Sequence, residues 1–180
     1  MLITTERLVL RRFRASDAPR LAEYRSDPEV ARYQSWDAPF PVERAEVAVR
    51  NFAASSPDEP GHFQYAIELT AERELIGDVY VRLHDNRKQA EIGFTVARAY
   101  QKRGFASEAV GAVLDRLFRR QGLHKVTGEC DARNTASAAL MERLGFRREG
   151  LLRQQTFIKG EWTDDLLFGL LATEWPATEP

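Results

Sequence analysis

The chain has 180 residues, 43% of them hydrophobic and 29% charged, and a formal net charge of −1, values typical of one globular domain over residues 1–180. The balanced charge argues against nucleic-acid binding, and a single cysteine, Cys130, excludes an intrachain disulfide and a cysteine-based metal cluster, so we expect no metal. The sequence shows no signal peptide and no apolar run long enough for a bilayer, so we expect a cytoplasmic protein without a membrane partner.

The first part of the chain predicts one strand, two helices and an aromatic loop. Apolar and basic residues alternate over Leu8–Phe13, which indicates a strand. A helix is predicted over Ser16–Ser26, where an N-cap residue precedes a proline in the first turn. A second helix is predicted over Val42–Ala54 because a proline directly precedes it. The aromatic-rich loop Tyr33–Phe40 lies between the two helices.

Three strands are predicted next, over Phe63–Leu69, Leu75–Leu83 and Ala90–Val96. The turn cluster at 84–88 makes the last two antiparallel neighbours. In the middle strand the alternation puts the following residues on one face: Leu75, Gly77, Val79, Val81 and Leu83.

The second half combines helices and strands. Apolar residues from Ala106 to Leu117 recur at helical spacing, and Gly122 is the predicted helix stop. The strand Lys125–Cys130 follows, and this strand–helix–strand order predicts a parallel pair. The remaining predicted elements are a helix over Thr135–Leu144 and strands over Glu149–Ile158 and Trp162–Leu171. The pattern indicates an α/β fold with a mostly antiparallel sheet and one parallel crossover.

The turn Gln101–Ala106 carries two cations and a glycine at the start of a helix. A helix N-terminus has unpaired N–H groups and attracts anions, and Gly104 leaves room for a phosphate close to the backbone. The turn is therefore a plausible pyrophosphate site, although many helices also begin with a glycine near a basic residue.

A second segment, Asn134–Ser137, follows the strand at 125–130. Asn134 is a candidate N-cap residue and Ser137 lies three positions on, on the same helix face. A capped helix explains this pair equally well.

Taken together, these segments resemble one family. Q-x-x-G-x-A at Gln101–Ala106, N-x-x-S at Asn134–Ser137 and L-G-F at Leu144–Phe146 are similar to the Gcn5-related N-acetyltransferases, most of all to the ribosomal-protein alanine N-acetyltransferase subgroup. The resemblance covers nearly the whole chain. Its other parts are T-E-R-L-V-L-R at Thr5–Arg11, A-E-I-G-F at Ala90–Phe94 and W-T-D-D-L-L-F-G-L-L at Trp162–Leu171.

The resemblance implies a mixed sheet of about seven strands with flanking helices and a central parallel pair, and acetyl-coenzyme A as co-substrate. The 101–107 loop would bind the pyrophosphate, strand 94–96 would pair with the pantetheine arm, and Arg143 would reach the phosphates or point to solvent. The family often has glycine where this chain has Lys102. The cofactor-binding residues so implied are Phe94, Thr95, Val96, Gln101, Lys102, Arg103, Gly104, Phe105, Ala106, Ser107, Asn134, Ser137 and Arg143.

Acetyl transfer to an amine requires a group that takes a proton, donors for the oxyanion and stabilisation of the leaving thiolate. Ser137 is the candidate for the thiolate. Glu91 is the candidate base and Glu129 its rival, and either could be an ordinary strand carboxylate. Some relatives carry a glutamate on the penultimate strand, where this chain has Thr156.

Tyr33, Trp36 and Glu91 are the candidate acceptor-binding residues, although the two aromatic residues could equally cover the core. The favoured acceptor is a protein N-terminal amine. A small amine is the alternative, such as an aminoglycoside, a polyamine or an amino-acid derivative. A non-catalytic acyl-coenzyme A-binding module is a third possibility, and we expect a monomer or a homodimer.

Overall fold

The computed structural model describes residues 3–176, which contain one eight-stranded sheet. The strand order is β1-β2-β3-β4-β5-β6-β8-β7, and every neighbouring pair is antiparallel except β5 and β6. The strands are β1 Ile3–Thr4, β2 Leu8–Arg11, β3 Gly61–Leu69, β4 Leu75–Leu83, β5 Gln89–Val96, β6 Lys125–Asp131, β7 Arg147–Ile158 and β8 Glu161–Leu171. The predicted mixed, mostly antiparallel sheet with one parallel pair is confirmed.

In the described part of the chain, five α-helices flank the sheet: α1 Ala18–Arg25, α2 Pro28–Ala31, α3 Val42–Ala54, α4 Phe105–Asp115 and α5 Thr135–Arg143. The sequence did not predict α2. Asp27 and Pro28 end α1 as expected, but the Asp27 side chain then accepts a hydrogen bond from the backbone N–H of Glu29 at 2.9 Å and caps the next helix. Within residues 3–176, no helix has the length and apolar character needed to cross a bilayer.

Each face of the sheet buries its own apolar cluster. Helices α4 and α5 pack on one face, against residues such as Val79, Ile92 and Phe168. Helices α1 and α3 and the aromatic loop cover part of the other face, against Ala66 and Leu75. The alternation predicted that Leu75 shares a face with Val79, and this prediction is wrong for Leu75. The reason is that the β3–β4 ladder is irregular at this end of β4.

Helix α4 continues past its α-helical part into a π turn over Arg116–Arg120. The turn keeps Leu117 buried with the rest of the apolar stripe, as the periodicity predicted. Gly122 follows with a φ of +66°, which confirms it as the helix stop.

The parallel pair at the centre of the sheet separates into a fork. Strands β5 and β6 are paired from Gln89 with Lys125 to Ile92 with Gly128. Beyond this point β5 stays with β4 and β6 stays with β8. The segments 93–96 and 129–131 therefore diverge, and within residues 3–176 the edge of β5 that faces β6 has no strand partner there.

Candidate active site

A cleft of about 360 Å³ lies at the fork, between the ends of α4 and α5. It brings together most of the residues that the sequence predicted for the cofactor, and one that it predicted for the acceptor. Those in the lining are Tyr33, Phe94, Thr95, Val96, Gln101, Lys102, Ala106, Asn134, Ser137 and Arg143. Residues that the sequence did not single out, among them Glu29 and Gln34 around α2, complete the lining.

The turn before α4 has the geometry of an anion site. Gly104, the N-cap residue, has a φ of +84°. The first helical hydrogen bond runs from the N–H of Glu108 to the carbonyl of Gly104 at 3.0 Å, which leaves the N–H groups of residues 105–107 without helical partners. The Phe105 side chain is buried, so only its backbone can face a ligand. Lys102 also takes a left-handed φ, of +58°, which explains why glycine suits this position.

Arg7 braces this turn from behind. Its guanidinium donates to the Arg103 carbonyl at 3.1 Å, forms an ion pair with Glu108 at 2.6 Å, and lies 4.5 Å from the centre of the Phe105 ring. A Cβ atom at Gly104 would approach the same guanidinium to 3.2 Å. No local sequence pattern indicates this role, because Arg7 and Glu108 are 101 positions apart.

Burial alone would raise the pKa of Glu108. Hydrogen bonds from the Thr5 hydroxyl and from the backbone and guanidinium of Arg7, together with the charge of Arg7, lower it instead. Glu108 therefore stays ionised and ties the N-terminal segment to the first turn of α4.

The start of α5 confirms the predicted N-cap. The side-chain oxygen of Asn134 accepts a hydrogen bond from the backbone N–H of Ser137 at 3.1 Å. Asn134 and Ser137 are both half-buried and both line the cleft. At the other end of α5, the Arg143 guanidinium donates to the Ser107 hydroxyl at 3.3 Å, which links the two helices at the rim.

Glu91 lies on the other face of the sheet. Its carboxylate contacts the guanidinium of Arg82 and the imidazole of His84, each at 3.2 Å. It lines a second cavity of about 490 Å³, which also includes Gly93 and Glu129. Partial burial, followed by the charges of Asp165 and Glu91, raises the pKa of Glu129. Thr156, which stands in place of the relatives' glutamate, donates to the buried Asp165 carboxylate at 2.5 Å.

Trp36 is buried, with 8% of its surface exposed, and is absent from the cleft lining. Its indole N–H donates to the Arg25 carbonyl at 3.1 Å, and the Arg25 guanidinium lies 4.2 Å from the ring centre. Arg25 is itself buried, 3.5 Å from the Asp78 carboxylate. A buried cation requires partners, and the Trp36 ring packs inside the fold because it supplies one of them. Of the two predicted aromatic acceptor residues, only Tyr33 reaches the cleft.

Cys130 is a free thiol at the diverging end of β6. Burial, followed by the charges of Asp131 and Asp165, raises its pKa to about 11. A thiol with so high a pKa is a poor nucleophile at neutral pH. Among residues 3–176, no group of three or more His, Cys, Asp or Glu side chains could hold a metal ion.

The family is decided by a comparison of the whole sequence. A model of the acetyltransferase (GNAT) domain matches residues 7–147. The chain belongs to this family. Its members transfer acyl groups from acyl-coenzyme A to amines, so the family resemblance inferred from the sequence motifs is confirmed.

Similar proteins cover the chain almost end to end. The "Uncharacterized N-acetyltransferase YnaD" of Bacillus subtilis (strain 168) is 31% identical over 97% of this chain and 99% of its own length. The [ribosomal protein uS5]-alanine N-acetyltransferase of Escherichia coli (strain K12) is 26% identical over 96% of this chain and 92% of its own length. A GNAT-family acetyltransferase from Bacillus anthracis has a crystal structure that superposes with a TM-score of 0.88, at 29% identity, over 97% of this chain and 100% of that one.

Proposed function

We propose that this GNAT protein is an acetyl-coenzyme A-dependent N-acetyltransferase, acting as one domain and transferring acetyl directly to a primary amine in a ternary complex. The observation that carries the proposal is the fork between β5 and β6, with the cleft beside it. An open strand edge, free helix N–H groups and several cations meet there within one small volume.

The residues at the cleft fit coenzyme A. Lys102 and Arg143 line the cleft and supply positive charge beside the start of α4, which suits a pyrophosphate. Arg103 is the third predicted cation, but it lies outside the lining, with its guanidinium over the Tyr100 and Phe105 rings.

The Val96 carbonyl accepts a hydrogen bond from the Gln101 side chain at 2.9 Å. The remaining backbone groups on the unpaired edge of 93–96 can pair with the two amides of a pantetheine arm, as in strand addition. The Asn134 amide lies close enough to the same channel to add a side-chain hydrogen bond.

Bound acetyl-coenzyme A supplies the thioester, and the chain supplies orientation and charge stabilisation. The Ser137 hydroxyl forms no hydrogen bond with a residue in 3–176, so it is available to the leaving thiolate. A backbone N–H in the segment around Phe94 is the donor that we assign to the oxyanion.

The favoured acceptor is a protein N-terminal α-amine. The uS5-alanine N-acetyltransferase supports this choice, because the likeness to it extends over 96% of this chain and is not confined to the cofactor segments. Tyr33 and residues of α2 also line the cleft, and we assign them to the side from which an incoming amine would approach.

The test is amine-dependent release of coenzyme A thiol from acetyl-coenzyme A. The panel contains peptides that begin with alanine or serine, the same peptides with an acetylated N-terminus, spermidine and an aminoglycoside. We expect the free alanine peptide to release thiol fastest and its acetylated control to release none. Faster release with spermidine or the aminoglycoside would make the acceptor a small amine. Binding of acetyl-coenzyme A without release on any amine would leave a non-catalytic module.

The proposal includes a cytoplasmic location and a monomer or homodimer. Size-exclusion chromatography with light scattering tests the oligomeric state, and a higher assembly would contradict it.

A further inference from the structure

The fork places two residues at its base. The last paired positions of the parallel ladder are Ile92 and Gly128, so Gly93 and Glu129 are the first residues of the two diverging strands. Gly93 has no side chain, and a Cβ built there would point toward the Tyr80 ring at 3.6 Å. Glu129 lines the same 490 Å³ cavity as Gly93 and Tyr80.

The two cavities meet β5 at consecutive residues. Phe94 lines the 360 Å³ cleft on the side of α4 and α5, and Gly93 lines the 490 Å³ cavity on the opposite face. A pantetheine arm that follows the unpaired edge of β5 from the α4 turn therefore brings its thioester to the base of the fork. The acceptor amine meets the thioester at this point, which Glu129 borders on the opposite face.

The two candidate carboxylates at this face differ in their surroundings. Glu91 is held by Arg82 and His84, and it lies in the paired part of the ladder, opposite Thr127. Glu129 forms no hydrogen bond or ion pair with any residue in 3–176. Its oxygens are therefore free to accept a proton, whereas those of Glu91 already have partners.

We propose that Glu129 is the catalytic base that takes the proton from the attacking amine. This inference rests on the proposed function. The amine nitrogen bonds to the thioester carbonyl carbon, and its proton passes to the Glu129 carboxylate. The C–S bond then breaks with its electron pair on sulfur. The sulfur takes a proton from the Ser137 hydroxyl, which solvent restores, and Glu129 returns its proton to solvent.

The electrostatic setting supports this role. Glu129 is exposed at the cavity, yet local desolvation and the carboxylates of Asp165 and Glu91 raise its pKa and make it a somewhat stronger base. The other ionisable groups of this cavity are Tyr80, whose pKa is raised mainly by burial, and Glu149, which is paired with Lys125 at 2.7 Å.

The experiment compares Glu129→Gln and Glu129→Asp with the wild type, using the panel amine that gives the fastest thiol release. Glutamine keeps the shape but cannot take a proton, so kcat should fall by about 100-fold or more, with the KM for acetyl-coenzyme A unchanged. Glu129→Asp should retain an intermediate kcat. Glu142→Gln removes an exposed carboxylate on α5 and serves as the control for loss of charge.

The dependence on pH gives a second readout that a structural role would not change. The wild-type rate should level off at a lower pH than the rate of Glu129→Gln. The Glu129→Gln rate should keep rising toward the acceptor's own pKa, about 8 for a peptide α-amine, because solvent then removes the proton. Melting temperatures of the variants should match or exceed that of the wild type, since a carboxyl with a raised pKa disfavours the folded state at neutral pH.

A wild-type kcat in Glu129→Gln, or a pH profile that is unchanged, would overturn the assignment. Loss of activity in Glu91→Gln with full activity in Glu129→Gln would transfer the role to Glu91. Failure of the proposed function itself looks different, because the wild type would then release no thiol with any amine.

Discussion

At the scale of single residues, Arg7 supports the cofactor turn without lining the cleft. Its side chain is 44% exposed, yet it contacts the Arg103 carbonyl, Glu108 and the Phe105 ring at once. These contacts fix the direction of the free N–H groups at the start of α4. Positioning of a cofactor site by a residue that does not line it is a common arrangement in binding sites.

Arg7→Ala should therefore weaken acetyl-coenzyme A binding by about tenfold, equivalent to about 1.4 kcal/mol. Isothermal titration calorimetry measures the Kd, and Arg50→Ala on the exposed side of α3 is the matched control. An unchanged Kd in Arg7→Ala would show that the turn holds its shape without the brace.

Lys102 allows backbone strain and charge to be separated. Because its φ is +58°, Lys102→Gly should stabilise the fold by up to about 1 kcal/mol. Lys102→Ala keeps the strain, so it should not stabilise. Both variants lose the cation in the cleft lining, and both should raise the Kd for acetyl-coenzyme A by about threefold. Equal stability of the two variants in urea unfolding would contradict the strain argument.

At the scale of elements, the aromatic loop performs two separate functions. Its buried half, with Trp36 and Phe40, packs around the Arg25 guanidinium. Arg25 lies near the Asp78 carboxylate, which also accepts hydrogen bonds from Tyr24 and Gln64. The other half of the aromatic loop presents Tyr33 to the cleft. The buried half therefore anchors the segment that presents Tyr33 to the cleft.

Substitutions in the two halves should have different effects. Trp36→Ala should destabilise the fold by about 3 kcal/mol or more, because it leaves a cavity and uncovers a buried cation. Tyr33→Ala should leave stability nearly unchanged and raise the KM for the acceptor severalfold, with the KM for acetyl-coenzyme A unaltered. Thermal unfolding and steady-state kinetics test this pair. A rise in the cofactor KM alone would place Tyr33 outside the acceptor site.

Across the whole molecule, a feature could be predicted from the sequence when the residues that form it lie close together along the chain. Gly104, Asn134 and the helix stop at Gly122 are local signals, and each has the predicted conformation. The Arg7 brace and the inward turn of Trp36 are tertiary contacts that no local pattern encodes. The place of Glu129 at the fork needed the β5–β6 register, which alternation alone does not give.

Acid stability is a property of the whole fold, and Glu108 contributes to it by joining the N-terminal segment to α4. Its lowered pKa means that its contribution is present above the unfolded value of about 4.3 and is lost as the pH falls through the folded pKa. The wild type should therefore be more stable than Glu108→Gln at neutral pH, and the difference should disappear in acid. Urea unfolding at a series of pH values measures it, with the exposed Glu46→Gln as control. A difference that persists in acid would contradict the argument.

The fork has a consequence for hydrogen exchange. Four paired positions join β5 to β6, and they are the ladder between the two halves of the sheet. Amide hydrogens in this ladder should exchange slowly both with and without acetyl-coenzyme A. The amide hydrogens of 93–96 that point away from β4 should exchange quickly in the free protein. Saturation with acetyl-coenzyme A should slow the second group selectively. Mass spectrometry of short peptides would then report occupancy of the channel without any knowledge of the acceptor.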